Sequence, residues 1–205
     1  MILLELFCGT KSIGKVFQKH GAEVFSVDFD PQHNPDLCIN ILEFTIDMLP
    51  EKFRTPDVIW ASPPCTTFSI ASVGHHYNKD RTPKTKEAEI GIKIVLKTLE
   101  IIKELSPKYW FIENPRGMLR KQEFMKPLYK KTITYCQYGD TRMKPTDIWT
   151  NQIFWQSRPM CKNGNLCHES APRGSRTGTQ GLSGKVDRSI IPEQLCEEIY
   201  QECTK

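Results

Sequence analysis

The sequence predicts an α/β fold, doubly wound around a mostly parallel sheet. Three observations carry this. Short apolar runs suited to buried strands alternate with helical patterns over residues 1–155. The runs stop at glycine, acidic or proline residues, which end strands rather than extend them. Gly9, Asp28, Cys65 and Glu113 all fall where such a run ends. Ligands of open parallel sheets bind at the carboxyl ends of strands, so these four are expected to converge in space.

Taken in order, Ile2–Phe7 is a strand closed by Gly9. Ser12–His20 is a helix with Ile13, Val16 and Phe17 on one face, and Gly21 stops it. Val24–Val27 is a strand leading to Asp28 and Asp30, and Asp36–Ile39 a third leading to Asn40. A helix is predicted over Leu42–Leu49 and a strand over Val58–Ala61. The polar stretch Ser72–Lys86 reads as a mobile loop. The longest helix runs from Glu87 to Leu105, and the strand Tyr109–Ile112 ends at Glu113-Asn-Pro115. A helix near Gln122–Lys130 and strands near Thr132–Cys136 and Ile148–Phe154 complete the regular part. Residues 156–186 are glycine-rich, polar and basic, which predicts irregular structure. Pro192–Cys203 reads as a closing helix with proline in its first turn.

With 205 residues, one domain is the default, and 39% hydrophobic with 25% charged residues fits a soluble globular chain. The formal charge of +4 permits a polyanionic partner without requiring one. Apolar runs are too short to span a bilayer, and no secretory leader pattern opens the chain. Reduced thiols in a cytoplasmic compartment are therefore the expectation for the eight cysteines.

The loop Phe7-Cys-Gly-Thr-Lys-Ser-Ile-Gly14 joins a strand to a helix. Its glycine lets backbone approach a ligand, and the helix start favours an anionic group. Asp28, ending the next strand, is placed to take ribose hydroxyls. Cys65 follows two prolines that terminate an apolar run and stiffen the turn, which suits a nucleophile held in one orientation.

These blocks, in this order, resemble the cytosine-C5 methyltransferase family. Leu6–Gly14 is similar to its first cofactor motif, with Ser12 where glycine is usual. Val27-Asp-Phe-Asp30 resembles its acidic-aromatic pair, and Asn40-Ile41 stands where Asp-Ile is common. Ser62-Pro-Pro-Cys-Thr-Thr-Phe-Ser69 resembles the Pro-Cys nucleophile motif. Phe111-Ile-Glu-Asn-Pro115 resembles the Glu-Asn-Val motif. The resemblance implies a Rossmann-like S-adenosylmethionine-dependent fold. It implies cofactor contacts from Phe7, Cys8, Gly9, Thr10, Ser12, Ile13, Asp28, Phe29, Asn40, Ile41 and Pro63. It assigns Cys65 to attack C6 of a cytosine flipped from duplex DNA, and Glu113 to hold N3 and the exocyclic amine.

The later Gln-x-Arg-x-Arg motif is incomplete. Aligned on Tyr138-Gly139, its basic positions become Arg142 and Lys144, and its last arginine becomes Thr146. Either basic residue is a candidate for the base or a phosphate, although lysine cannot copy a bidentate arginine contact. His75, His76, Lys79 and Arg81 follow the nucleophile on a stretch that resembles the family's closing lid. They are candidates for phosphate contacts.

Cys161, Cys167 and His168, with Cys136 as an added ligand, form a zinc candidate. Cys-x5-Cys-His lacks the close cysteine pairs of structural zinc sites, so no metal is expected. The predicted organisation is a catalytic domain over 1–155, a short irregular segment over 156–191 replacing a target-recognition domain, and a closing helix over 192–205. Arg173 and Arg176 of that segment are candidates for phosphate contacts. Chains this compact resemble phage or prophage methyltransferases, which implies a bacterial or phage-infected host cytoplasm. Competing readings are the same chemistry on RNA or a free cytosine nucleotide, a degenerate nucleic-acid-binding relative, and an amino-group methyltransferase.

Overall fold

The computed structural model describes residues 1–162, 164–169 and 189–205, so Arg173 and Arg176 lie outside the described residues. The strands are β1 (Ile2–Leu6), β2 (Glu23–Asp28), β3 (Leu37–Cys38), β4 (Val58–Ala61), β5 (Tyr109–Pro115), β6 (Lys130–Thr134) and β7 (Pro145–Thr150). The helices are α1 (Ser12–Lys19), α2 (Val73–His76), α3 (Lys86–Leu105) and α4 (Glu193–Cys203). Among these residues the strands form one seven-stranded sheet in the order β3-β2-β1-β4-β5-β7-β6. β1 to β5 are mutually parallel, and β7 inserts antiparallel to both β5 and β6.

The central strands are apolar throughout because both faces are covered. Period-two alternation sorts their side chains. Leu3, Val58, Trp60 and Phe111 join Ile13, Phe17, Trp155, Leu195 and Ile199 in the layer with α1 and α4. Leu4, Leu6, Ile59, Ala61 and Ile112 join Phe68, Val95 and Ile101 in the layer with α3. The chain leaves β1 for β2 on one side and returns to β4 on the other, so the strand order reverses between β1 and β4. A crevice opens at the carboxyl ends beside such a reversal. The Gly9 loop and the Cys65 turn flank it.

Thr85 starts α3 by accepting the amide of Ala88 at 3.3 Å, and Ser106 ends it in a left-handed conformation. α4 packs on α1. Phe17 and Tyr200 meet edge to face at 5.2 Å, and the Ile191 amide donates to Ser12 Oγ at 3.2 Å.

Two predicted helices are corrected. Residues 42–49 form two separate 3-10 turns, Ile41–Glu43 and Ile46–Met48. Asn40 caps the first by accepting the Leu42 amide, and extended residues at Phe44 and Thr45 interrupt propagation. Residues 122–130 hold only the turn Glu123–Met125 before β6 begins. Pro127 removes an amide donor there. The last two strands are shifted from their predicted bounds, and their antiparallel pairing departs from the parallel pattern. The stretch 72–86, read as a loop, contains α2 and folds back through a Tyr77–Pro83 bridge and a hydrogen bond between His76 Nδ1 and Thr85 Oγ1 at 2.8 Å.

β1 carries one buried acid. Burial pushes the Glu5 carboxyl up to about 8, and the Gly14 and Ile13 amides at the start of α1 only partly offset it. The folded pKa lies above the unfolded value. The folded chain thus holds a proton that the unfolded chain releases between pH 4.5 and about 8, and stability falls as pH rises through that window. Glu5→Gln imitates the protonated form. We expect it to flatten the fall in Tm between pH 5 and pH 8 in thermal melts, whereas parallel wild-type and variant curves would contradict this.

Candidate active site

The first wall is the loop after β1. Phe7, Gly9 and Lys11 take positive φ of 57°, 45° and 55°, so the loop curls within five residues. Only glycine adopts this region without strain, and a Cβ at Gly9 would meet only the Phe7 carbonyl oxygen, at 3.9 Å. The Gly9 amide donates to Asp28 Oδ2 at 2.9 Å and the Asp30 amide to Asp28 Oδ1 at 3.0 Å. Asp28 is thus fixed at the end of β2, yet each carboxylate oxygen can accept further hydrogen bonds. Phe29 beside it is 66% exposed, unusual for so large an apolar residue. Asn40 and buried Ile41 continue this wall after β3. Lys11 at the start of α1 offers no side-chain cap, the Ile13 and Gly14 amides turn to Glu5, and Thr10 and Ser12 share a hydrogen bond at 2.8 Å beside them. This wall suits a ligand with an aromatic ring, adjacent hydroxyls and an anionic end. Cys8 sits inside it. Its thiol is pushed up to about 12, first by burial and then by the Glu5 and Asp28 charges, which makes it a poor nucleophile.

The second wall is the turn after β4. The carbonyl of Cys65 accepts the amides of Phe68 and Ser69, both at 3.0 Å, closing a tight turn with the cysteine at its head. Cys65 itself is partly exposed. Asn114 on β5 reaches across and donates from Nδ2 to the Pro63 carbonyl at 2.9 Å, a fully buried bond. The Met118 amide binds the Phe68 carbonyl at 2.7 Å. Gly117 permits this approach, because a Cβ there would lie 2.1 Å from Phe68 O. Gly117→Ala must therefore displace the Cys65 turn. The expected result is a loss in kcat of about 10²-fold with cofactor affinity retained. Steady-state kinetics with cofactor titration would refute the contact if kcat were unchanged.

The third wall is β5 and its antiparallel neighbours. Successive residues of a strand face opposite ways, so Glu113 and Asn114 serve different walls. Buried Glu113 accepts the Tyr135 hydroxyl on Oε1 at 2.8 Å, and Lys144 Nζ lies 3.8 Å from the same oxygen. Lys144 also stands 4.6 Å from the centre of the Tyr135 ring. Burial, then the Glu113 charge, raises the Tyr135 hydroxyl well above its ordinary range, so it remains a donor.

The structure brings together Gly9 with Asp28, Pro63 with Asn114, and Glu113 with Lys144. It turns Arg142 elsewhere. That side chain is buried, ion-paired with Asp140, and donates to the Ile190 carbonyl at 3.2 Å, so it ties the β6–β7 connection to the segment before α4. Thr146 is a fully buried β7 residue facing Pro115 and Ile133 across the sheet. An arginine has no room in that interior position.

Three contributors escaped the sequence reading: Asn114 as a clamp, Gly117 as a close-contact point, and Tyr135 as the partner of Glu113. Asn114 had a signal, being adjacent to Glu113 on a strand. Tyr135 had none, since its approach depends on β7 lying between β5 and β6.

The profile of the C-5 cytosine-specific DNA methylases matches residues 1–135. A protein of frog virus 3 (isolate Goorha), named "Probable DNA (cytosine-5)-methyltransferase", is 33% identical over 95% of this chain and 99% of its own length. Solved structures share the fold at lower identity. The Entamoeba histolytica methyltransferase EhMeth superposes with a TM-score of 0.55 at 14% identity, over 78% of this chain and 56% of that one. An Escherichia coli prophage protein assigned as a DNA modification methyltransferase gives 0.52 at 15% identity, over 73% and 46%. The chain spans about half the length of these two structures. The matched region contains the curled cofactor-side loop, the cysteine turn and the Glu-Asn strand end. With the full-length relative, it places this chain in the C-5 cytosine-specific DNA methylase family, as a DNA (cytosine-5)-methyltransferase.

Proposed function

We propose that the chain moves a methyl group from S-adenosylmethionine to C5 of a cytosine flipped out of duplex DNA, with Cys65 bonded transiently to C6. The observation that carries this is the buried Asn114–Pro63 hydrogen bond. It locks the cysteine turn to the strand end that bears Glu113, beside the Asp28 wall.

The residues present fit the cofactor. Exposed Phe29 offers a stacking face for adenine, Asp28 retains lone pairs for the ribose hydroxyls, and the curled loop before α1 would hold the carboxylate. Phe7, Cys8, Gly9, Thr10, Ser12, Ile13, Asn40, Ile41 and Pro63 complete the cradle. When bound, the cofactor supplies an electrophilic methyl group on a sulfonium.

The remaining chemistry falls to this chain. The Cys65 thiolate forms a bond to C6, and the C5–C6 π electrons shift so that C5 becomes nucleophilic. Glu113, held by Tyr135 and Lys144, accepts from the exocyclic amine and shares a proton with N3 as charge develops there. C5 takes the methyl group. A base, such as water in the crevice, takes the C5 proton, which restores the double bond and expels the thiolate. Lys144 takes over the missing arginine's place by orienting Glu113, and Arg142 acts as a brace. His75, His76, Lys79 and Arg81 meet phosphates from the folded excursion over 72–86.

Labelled cofactor with cytosine-rich duplex DNA, followed by digestion to nucleosides, is expected to yield 5-methylcytosine. RNA and cytosine nucleotides serve as competitors. Product at N4, or label only in RNA or nucleotide, would overturn the reading.

A further inference from the structure

We infer that Cys136, Cys161, Cys167 and His168 form a structural zinc site that braces the substrate-side wall. The sequence reading expected no metal because Cys161-x5-Cys167-His168 lacks a close cysteine pair. The fold supplies the fourth ligand from the turn after β6. One atom from each residue, three sulfurs and an imidazole nitrogen, lies within 4.8 Å of every other. Cys161 Sγ is 3.2 Å from Cys167 Sγ and 3.4 Å from His168 Nδ1, and Cys167 Sγ is 3.8 Å from that nitrogen. Ligands at about 2.0–2.3 Å from a tetrahedral zinc ion stand roughly 3.5–3.8 Å apart, so the four atoms already approximate the required shell. The Cys161 and Cys167 sulfurs are also too far apart for a disulfide, whose bond is about 2.05 Å.

The cluster is built into the fold. Cys136 and Cys161 are buried. The Cys161 amide donates to Thr134 Oγ1 at 2.8 Å, and the Glu169 amide to the Thr141 carbonyl at 2.9 Å. Both ends of the 161–169 segment are therefore pinned to the connection that carries Tyr135 and Lys144. Binding would release three thiol protons to solvent, leaving a ZnS3N centre of net charge −1. Three thiolates and one imidazole leave no open coordination position, which is the pattern of a structural rather than a catalytic zinc.

This inference stands apart from the methyl-transfer reading and is tested without it. Protein purified under reducing conditions should carry about one zinc per chain by elemental analysis. Cobalt(II) should replace it with a thiolate charge-transfer band and tetrahedral visible bands, and chelator should lower Tm. His168→Ala should lose the metal, His168→Cys should retain it as a four-thiolate site, and Cys38→Ser should leave it unchanged. Absence of bound metal after zinc loading, or a Cys161–Cys167 disulfide in place of metal by intact mass, would overturn it. So would a zinc content unaffected by His168→Ala. If a ligand variant fails to fold, the wild-type metal analysis and cobalt spectrum still decide.

Discussion

Cys65→Ser is expected to eliminate methyl transfer, with a fall in kcat on the order of 10⁴-fold or more, while cofactor binding stays intact. A hydroxyl is a far weaker nucleophile than a thiolate at neutral pH, and Cys8 in the neighbouring loop is no substitute. Cys8 is buried with its thiol pushed up to about 12. The substitution should cost little stability, because the turn is held by the Cys65 carbonyl and by Asn114 on Pro63 rather than by the sulfur alone. Two measurements separate the outcomes. Calorimetric titration with cofactor should match wild type. Duplex DNA containing 5-fluorocytosine should trap a covalent complex with wild type, since fluorine replaces the C5 proton whose loss would expel the thiolate, and none with the variant. Retained transfer in Cys65→Ser would rule out the covalent route.

Glu113→Gln is expected to lower kcat by about 10²–10³-fold with a smaller change in KM for DNA. Glu113 acts through the proton it shares with N3 where charge develops, so its loss should be felt mainly in the transition state. Tyr135→Phe separates positioning from catalysis. Removing the hydroxyl leaves Glu113 with Lys144 at 3.8 Å but without its 2.8 Å donor. A loss of about tenfold, with a shifted pH profile for kcat, fits a hydrogen bond to a charged group worth about 1.5–3 kcal/mol, part of which Lys144 preserves. If Tyr135→Phe changed only Tm and left the pH profile unmoved, Tyr135 would be a packing residue. If Glu113→Gln retained wild-type kcat, the proposed role of Glu113 would fall.

Much of the fold was legible because its signals are local. The β1 and β4 runs, the glycine after β1, the acid after β2 and the two prolines before Cys65 each act within a few residues. The helical misreadings at Leu42–Leu49 and Gln122–Lys130 have the same root. Both segments carry apolar spacing compatible with a helix, yet Asn40, the extended Phe44–Thr45 and Pro127 cut them into single turns. The incomplete arginine motif could be seen in the sequence but not resolved there. Nothing local tells that Thr146 faces the sheet interior, that Arg142 is drawn to Asp140 and Ile190, or that Lys144 comes to Glu113.

By itself the sequence determined the parallel core, the order of the chemistry-bearing turns, and which cysteine a strand end presents. Short-range sterics and side-chain periodicity set those features. Tertiary structure alone decided the partners: Tyr135 on Glu113, Asn114 on Pro63, Gly117 under the cysteine turn, and Cys136 beside Cys161, Cys167 and His168. The Tyr135–Glu113 contact follows from β7 entering the sheet antiparallel between β5 and β6, the Asn114 and Gly117 contacts from β5 pairing with β4, and the cysteine cluster from the Cys161 and Glu169 amides binding Thr134 and Thr141. Such long-range placement reflects burial of the whole chain, and no window of sequence encodes it.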